Sequence, residues 1–198
     1  MNNIQTAYII DAIRIPRAKI GKEGSAYAGL NSCDLLKPLF NGLTNRNRMD
    51  SHLIDDVILG CSTQVDGQGA NIAKIASLYA GWSDKVSGST INRFCCSGLD
   101  AINLAATKIM SGMESIVVAG GIEHISAVPM FADKGAWFTD PKVMTKTRFM
   151  HMGLAADLIA CQNGYNRSEL DDLAIQSHER ALSAQNNGYF DASLIPVI

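Results

Sequence analysis

Two adjacent cysteines, Cys95 and Cys96, lie in a polar turn between an apolar segment that ends at Ile91 and a helix-like pattern that begins at Leu99. The N-terminus of a helix carries partial positive charge and unpaired backbone N–H groups. These features favour thiolate over thiol and lower a pKa that is about 8.5 in an unperturbed cysteine. A thiolate placed there is a nucleophile suited to covalent catalysis. The residues alone leave a second interpretation open, a cysteine that merely packs at the start of a helix.

The elements that must position this turn are alternating strands and helices in the first 120 residues. Short apolar runs predict strands, and apolar residues at helical spacing predict the helices between them. The strands are expected at residues 7–10, 57–59, up to Ile91 and 116–119, and the helices after Asn31 or Ser32, after Asn71 and after Cys95. This alternation predicts a layered α/β domain with a largely parallel sheet. Sites in such sheets lie in loops at the C-terminal ends of the strands, where Cys95 falls.

The chain changes character after Gly121. Residues 122–150 contain prolines, glycines and scattered aromatics without clear periodicity, which predicts an irregular lobe. Two helices are expected next, one over residues 153–163 and one with a capping-box-like start at Ser168. The apolar end, residues 194–198, predicts a strand without a partner, so we expect the sequence to be interrupted there.

Composition excludes several classes of function. The 198 residues are 47% hydrophobic and 18% charged with a formal net charge of -2, typical of a globular protein without the basic bias of nucleic-acid binding. No apolar run approaches the roughly 20 residues needed to span a membrane, and the N-terminus lacks the order of a signal peptide. The five cysteines form no C-x-x-C pair, which argues against a zinc site or a disulfide framework. We therefore expect a metal-free cytoplasmic protein with reduced thiols, and a mitochondrial or peroxisomal location is also compatible.

The motif N-R-F-C-C-S-G-L at residues 92–99 resembles the acyl-accepting cysteine motif of thiolases, usually N-R-x-C-x-S-G-L. Further segments resemble that family in the same order and together cover nearly the whole chain. They are R-I-P at 14–16, V-I-L-G at 57–60, Q-G-A-N at 68–71, G-G-I-E-H-I-S at 120–126, H-M-G at 151–153, and the last helix and strand at 177–197.

This resemblance implies acyl transfer between coenzyme A thioesters, either thiolytic cleavage of a 3-ketoacyl-CoA or the reverse Claisen condensation. It places the acyl-thioester nucleophile at Cys95, which directly follows N-R-x, whereas Cys96 occupies a position usually held by a small residue. Backbone N–H groups of the turn are expected to stabilise the oxyanion that the attack creates. The implied enzyme is an acetyl-CoA C-acyltransferase of fatty acid and lipid metabolism.

Two further segments carry expectations about the site. His151 and Met152 resemble the pair that lines the pantetheine channel, so we expect them to bind substrate. Their alternative roles are a polar residue and a core filler at a loop-to-helix junction. Glu123 and His124 belong to a segment that mainly shapes the site in the family, and we do not expect His124 to act as a general base.

The implied fold is a thiolase-like layered α-β-α N-terminal domain with a mostly parallel sheet, incomplete over residues 1–120, followed by part of a substrate-covering loop lobe over 121–198. Complete thiolases are longer, and their later half supplies a G-H-P histidine and a second reactive cysteine. None of the four histidines here precedes a proline. We expect both groups from a longer natural chain or a separate C-terminal half, and poor turnover by this chain alone.

Two other functions remain open at this point. A non-catalytic acyl-CoA-binding or interaction subunit would keep the fold without the chemistry. A ketoacyl synthase that uses a carrier protein would share the nucleophile, although the H-M-G and G-G-I-E segments resemble thiolases more closely. The resemblance implies acyl-CoA and CoA as partners in the reaction, no separate cofactor, and a homodimer or homotetramer.

Overall fold

The computed structural model describes residues 5–21 and 23–197. Two compact units make up the chain, the first formed by Met1–Asp133 with Ser193–Ile198 and the second by Lys134–Ala192. Residues 121–133 therefore belong to the first unit. The predicted division at 120 into a core domain and a loop lobe concerns the complete protein and stays a prediction.

Three parallel strands form the sheet of the first unit. They are β1 (Asp56–Gly60), β2 (Ser87–Ile91) and β3 (Val117–Gly121), in the order β2-β1-β3. The register pairs Gly60 with the last residue of each neighbouring strand. The carboxyl ends of all three strands therefore meet at one edge of the sheet, and the predicted parallel α/β fold is confirmed.

Helices cover both faces of this sheet: α1 (Ser32–Asn47), α2 (Ile72–Tyr79) and α3 (Ser97–Met110). Strand β1 is buried along its whole length, and successive side chains of a strand point to opposite faces. Val57 and Leu59 pack in one hydrophobic cluster with residues of α1 and α2, whereas Ile58 packs with Ala101 and Ala105 of α3. The result is a layered α-β-α arrangement with β1 at its centre.

The predicted starts of α1 and α2 are confirmed by their caps. Asn31 caps α1 in a capping box with Asp34, and the Asn71 side chain accepts a hydrogen bond from the backbone N–H of Lys74 at the start of α2. Gly81 and Gly112 follow α2 and α3 with φ of 83° and 74°, the left-handed conformation that glycine adopts without strain. Short 3₁₀ turns occur at Ser51–Leu53 and Asp66–Gln68.

An ion network ties α3 to the beginning of β1. The Lys108 ammonium lies 2.5 Å from the buried Asp56 carboxylate and 2.8 Å from Glu114. The hydrogen bond to Asp56 has the largest effect on the pKa of Lys108 and raises it, and the hydrogen bond to Glu114 raises it further. Because removing one partner of a buried pair leaves an uncompensated charge, this network fixes where α3 lies against the sheet.

The predicted strand at residues 7–10 is wrong. None of its residues is in a strand, and Tyr8, Ile9 and Ile10 are all exposed. A strand needs the N–H and C=O groups of a neighbouring strand, and no segment within residues 5–21 and 23–197 supplies them to this run. The run at residues 194–198 is also not a strand where it is described, since Leu194 forms an isolated bridge with Arg14, and residue 198 lies outside the described part.

The second unit is helical. It contains α4 (Ala136–Thr139), α5 (Pro141–Thr147), α6 (Met152–Asn163) and α7 (Arg167–Asn186). The helix predicted at 153–163 is confirmed, but two short helices occupy part of the segment predicted to be irregular. The last helix begins before Ser168, because the capping box joins Asn166 to Glu169. No helix in the described parts of the chain is both long and apolar enough to cross a membrane.

The folding stability of the first unit is predicted to depend on pH through Asp55. Its carboxylate accepts hydrogen bonds from the backbone N–H groups of Ile116, at 3.0 Å, and Ser115, at 2.7 Å, which lower its pKa. A lowered folded-state pKa contributes stability above the unfolded pKa, about 3.9, and that stability is lost as the pH falls through the folded-state value. Since the residue is exposed, we expect Asp55→Asn to cost about 1 kcal/mol at neutral pH and less in acid.

Urea unfolding at neutral and acidic pH checks this expectation. Asp133→Asn, which changes an exposed loop carboxylate, is the matched control and should leave the pH dependence as it is. Equal pH dependence in the Asp55→Asn variant and the wild type would contradict the role assigned to Asp55.

Candidate active site

Cys95 lies at the carboxyl edge of the sheet, between the end of β2 and the start of α3, as expected. Its side chain is exposed, as is that of Cys96, which occupies the N-cap position of α3. Both thiols are free. The turn therefore presents a thiol at the positive end of a 14-residue helix.

Side chains of the turn fix its backbone. The Asn92 side-chain oxygen accepts a hydrogen bond from the Phe94 N–H at 2.8 Å. The buried Ser97 hydroxyl accepts one from the Arg93 N–H at 2.7 Å and donates one to the Phe94 carbonyl at 2.6 Å. These contacts hold Phe94 at a φ of 50°, a left-handed conformation that costs a bulky residue free energy. Cys95 is thus placed by a backbone that its neighbours constrain on both sides.

The start of α3 lies directly on the end of the central strand. A Cβ atom added at Gly60 would lie 2.3 Å from the Ser97 carbonyl carbon and 2.5 Å from the Gly98 nitrogen. Both atoms belong to the backbone, so neither can rotate away. Only glycine at position 60 allows this close approach, which brings the cysteine turn onto β1.

An ion pair joins the turn to the first turn of α3. Arg93 Nε lies 2.8 Å from an Asp100 carboxylate oxygen, and this hydrogen bond and charge raise the pKa of Arg93. The Arg93 side chain is 69% exposed, so solvent screens the pair and limits its contribution to stability. The ion pair holds the Arg93 guanidinium group against the first turn of α3.

The Glu123 carboxylate bridges the loops that follow β3 and β1. It accepts hydrogen bonds from the Ser62 N–H at 2.7 Å, the Thr63 N–H at 3.3 Å and the Gln68 side-chain amide at 2.7 Å. Gln68 is fully buried and its oxygen accepts a hydrogen bond from the His124 backbone N–H at 2.9 Å. The two loops beside the cysteine turn are therefore joined by side-chain hydrogen bonds.

The His124 side chain is buried, and its ring contacts a backbone carbonyl of the loop that contains Tyr27. Its Nε2 lies 3.1 Å from the Tyr27 carbonyl oxygen, which can only accept, so Nε2 carries the proton. Ser126, close by in the chain, contacts the Ser25 hydroxyl at 3.0 Å. This segment is therefore hydrogen-bonded to Ser25 and Tyr27, and its role in shaping the site stays a prediction.

His151 and Met152 belong to the second unit, and Cys95 to the first. His151 is the N-cap residue of α6, where its ring packs edge-on against Phe149 at 5.2 Å between centroids, and Met152 is the first residue of that helix with 64% of its surface exposed. Phe149 also packs against Trp137. Met152 is therefore not a core filler in this unit, whereas His151 is a polar residue at a loop-to-helix junction, as its alternative role states. The assignment of both residues to substrate binding stays a prediction.

Asn92, Gln68 and Ser97 support the turn, a role that the sequence pattern did not indicate. Asn92 could have been found, because asparagine before a turn commonly accepts a backbone N–H two residues on. Gln68 gave no local signal of this role, since the partners through which it joins the two loops lie 55 and 56 residues away. Within the described residues, no group of three or more histidine, cysteine, aspartate or glutamate side chains is placed to hold a metal ion.

The five cysteines are expected to differ sharply in reactivity. Cys61 is 1% exposed, and burial, followed by the charge of Glu123, raises its pKa to about 12. At about pH 8 iodoacetamide should alkylate the exposed Cys95, Cys96 and Cys161 of the native protein and leave Cys61 unmodified, since the thiolate is the reactive form. Peptide mass spectrometry measures each site. Guanidinium chloride provides the control in which Cys61 must react, and native alkylation of Cys61 as fast as of Cys95 would contradict the prediction.

Comparison with known proteins places this geometry in a family. The family model described as "Thiolase, N-terminal domain" matches residues 7–198. The steroid 3-ketoacyl-CoA thiolase of Mycobacterium tuberculosis is 36% identical over 202 residues, which cover 96% of this chain and 49% of that protein. The 3-ketoacyl-CoA thiolase of Shewanella baltica is 40% identical over 192 residues, with coverage of 94% and 48%.

A solved structure gives the same result for the fold. The crystal structure of the Bacillus anthracis acetyl-CoA acetyltransferase superposes with a TM-score of 0.83 at 33% identity, covering 100% of this chain and 52% of that one. The chain spans about half the length of the curated relatives it matches. Since the N-terminal-domain model matches nearly the whole chain, the protein belongs to the thiolase family.

Proposed function

We propose that the complete protein carrying this chain transfers acyl groups between coenzyme A thioesters, with Cys95 as the nucleophile. The observation that carries the proposal is the placement of an exposed thiol between β2 and α3, at the N-terminus of a helix and within a constrained turn. Helix N-termini favour an anion at this position, both the thiolate and the oxyanion formed after its attack.

In the cleavage direction, the Cys95 thiolate attacks the 3-keto carbonyl carbon of a 3-ketoacyl-CoA. The resulting oxyanion is stabilised by backbone N–H groups of the turn. Its collapse breaks the bond between the α and β carbons, leaves the acyl group on the sulfur, and releases acetyl-CoA once the carbanion takes a proton. A second coenzyme A then gives its thiol proton to a base and attacks the thioester, so that the acyl group leaves as acyl-CoA and Cys95 returns as a thiolate.

The finer assignment is an acetyl-CoA C-acyltransferase that acts in fatty acid or related lipid metabolism. Its support is the names of the relatives, which include a steroid 3-ketoacyl-CoA thiolase and a beta-ketoadipyl-CoA thiolase of Escherichia coli, 35% identical over 212 residues. The histidine that activates the nucleophile and the second cysteine would come from the remaining half of the protein. His151 and Met152 would contact the pantetheine arm.

The test is covalent trapping on the complete protein. Incubation with acetyl-CoA or a 3-ketoacyl-CoA should add one acyl mass to the peptide that contains Cys95, and peptide mass spectrometry resolves Cys95 from Cys96 by fragmentation. No acyl adduct at Cys95, with substrate bound, would exclude the proposed nucleophile.

A non-catalytic acyl-CoA-binding subunit makes a different prediction in the same experiment. Bound acyl-CoA would then neither acylate Cys95 nor protect it from alkylation. The enzyme predicts both acylation and protection, because the substrate must cover the thiol that it acylates. The proposal further assigns a homodimer or homotetramer in the cytoplasm, with acyl-CoA and CoA as substrates and no separate cofactor, and light scattering of the complete protein tests the assembly.

A further inference from the structure

The loop after β1 is held by a carboxylate from the loop after β3. Glu123 Oε2 accepts the Ser62 N–H at 2.7 Å, and Oε1 accepts the Thr63 N–H and the Gln68 amide. Both carboxylate oxygens therefore accept, and three donors hold the side chain in place. Ser62 is therefore fixed in position by a residue 61 positions away.

The same Ser62 holds the cysteine turn. Its carbonyl oxygen accepts a hydrogen bond from the Asn92 side-chain amide at 2.9 Å, and the Asn92 oxygen accepts the Phe94 N–H at 2.8 Å. Phe94 has a φ of 50° and directly precedes Cys95. A left-handed phenylalanine persists only when its surroundings hold it, so the Asn92 contact determines the backbone that carries the thiol.

We propose that Glu123 is a positioning residue, which orients the Cys95 thiol through Ser62 and Asn92. The inference rests on the proposed function, in which Cys95 accepts the acyl group. Its role is to keep the turn in the one arrangement from which the sulfur meets a carbonyl carbon, since misplacement of a reacting atom slows a reaction even where the atom remains chemically competent.

Alkylation and acylation give different predictions for Glu123→Gln. Alkylation by a small reagent requires only an accessible thiol, and Cys95 is exposed, so loss of a positioning contact leaves the alkylation rate as it was. The glutamine amide has one acceptor oxygen where two are used, so either the Ser62 N–H or the donors of Thr63 and Gln68 would face its NH₂ group. In both orientations the loop that carries Ser62 loses part of its anchor, and acylation slows.

The experiment measures two rates at Cys95 in the complete protein, acylation by acetyl-CoA and alkylation by iodoacetamide. We expect Glu123→Gln to slow acylation about fivefold, the equivalent of about one net hydrogen bond, with no decrease in the alkylation rate. Glu179→Gln, an exposed carboxylate on α7, is the matched control and should change neither rate. The fluorescence and unfolding midpoint of each variant report whether the core around the buried Trp82 is intact.

A double-mutant cycle tests whether Glu123 acts on Cys95 through Ser62 and Asn92. Asn92→Ser keeps a short oxygen near the Phe94 N–H but cannot reach the Ser62 carbonyl, so it breaks the same link at its other end. Under the proposal the double variant is no slower than Asn92→Ser alone, whereas independent effects would multiply. Unchanged acylation in Glu123→Gln, or equal slowing of acylation and alkylation, would overturn this inference alone. A wild-type protein that takes no acyl mass would overturn it together with the proposed function.

Discussion

Replacing Cys95 by alanine in the complete protein is expected to abolish covalent acylation and to lower kcat/KM with a 3-ketoacyl-CoA by at least about 10³-fold. In the proposed reaction Cys95 forms the bond on which every later step depends, and removing such a group leaves only the contribution of substrate binding and oxyanion stabilisation. Because the side chain is exposed, its truncation opens no cavity, and the unfolding midpoint should stay within error of the wild type. Steady-state kinetics and intact mass measure the two effects.

The neighbouring thiol provides the matched control. Cys96 is also exposed and one residue away, but it lies at the N-cap of α3 without a side-chain hydrogen bond. Cys96→Ala should keep acylation and reduce kcat/KM by less than about tenfold. An inactive Cys96→Ala with an active Cys95→Ala would reverse the assignment of the nucleophile.

Gly60→Ala is expected to destabilise the first unit by about 3 kcal/mol or more, the range of severe overpacking. The new Cβ would lie 2.3 Å from a backbone atom of Ser97, and neither β1 at the centre of the sheet nor α3 can shift without losing packing on the buried face. The same shift would displace the cysteine turn, so acylation should fall along with stability. Urea unfolding monitored by circular dichroism gives the free energy.

Gly120→Ala tests whether the effect comes from the contact at Gly60 rather than from losing a glycine in the sheet. Gly120 lies in β3, and its added Cβ would meet only the Leu59 side chain at an ordinary 3.8 Å. We expect a change in stability within about 1 kcal/mol. Similar destabilisation by both substitutions would refute the close approach of α3 to β1.

Sequence patterns predicted the elements that local chemistry specifies. Strand β1 was found because a short apolar run bounded by polar and glycine residues signals a buried strand, and α1 and α2 because Asn31 and Asn71 are cap residues. The run at residues 7–10 has the same apolar signal and is not a strand. Apolar character reports that side chains tend to be buried, but strand formation also depends on a partner, which is not encoded in the run itself.

In the candidate site, too, the sequence predicted the local features and not the long-range contacts. Cys95 was placed correctly at the carboxyl edge because the order of strand, turn and helix is local. The link from Glu123 through Ser62 to Asn92 joins residues 61 and 30 positions apart, so no periodicity or spacing rule could indicate it. The start of α7 was missed by a smaller margin, since both Asn166 and Ser168 are acceptable caps and the hydrogen bonds select the first.

The position of β1 between β2 and β3 makes the carboxyl end of this strand a topological switch point. The chain leaves β1 for β2 on one side and later places β3 on the other side, so the segments that follow β1 and β3 start next to each other at the carboxyl edge. Glu123 joins these two segments by hydrogen bonds, and Gly60 admits the start of α3 onto the central strand. The cysteine turn is therefore held at the switch point both by the central strand and, through Asn92, by the loop that follows it.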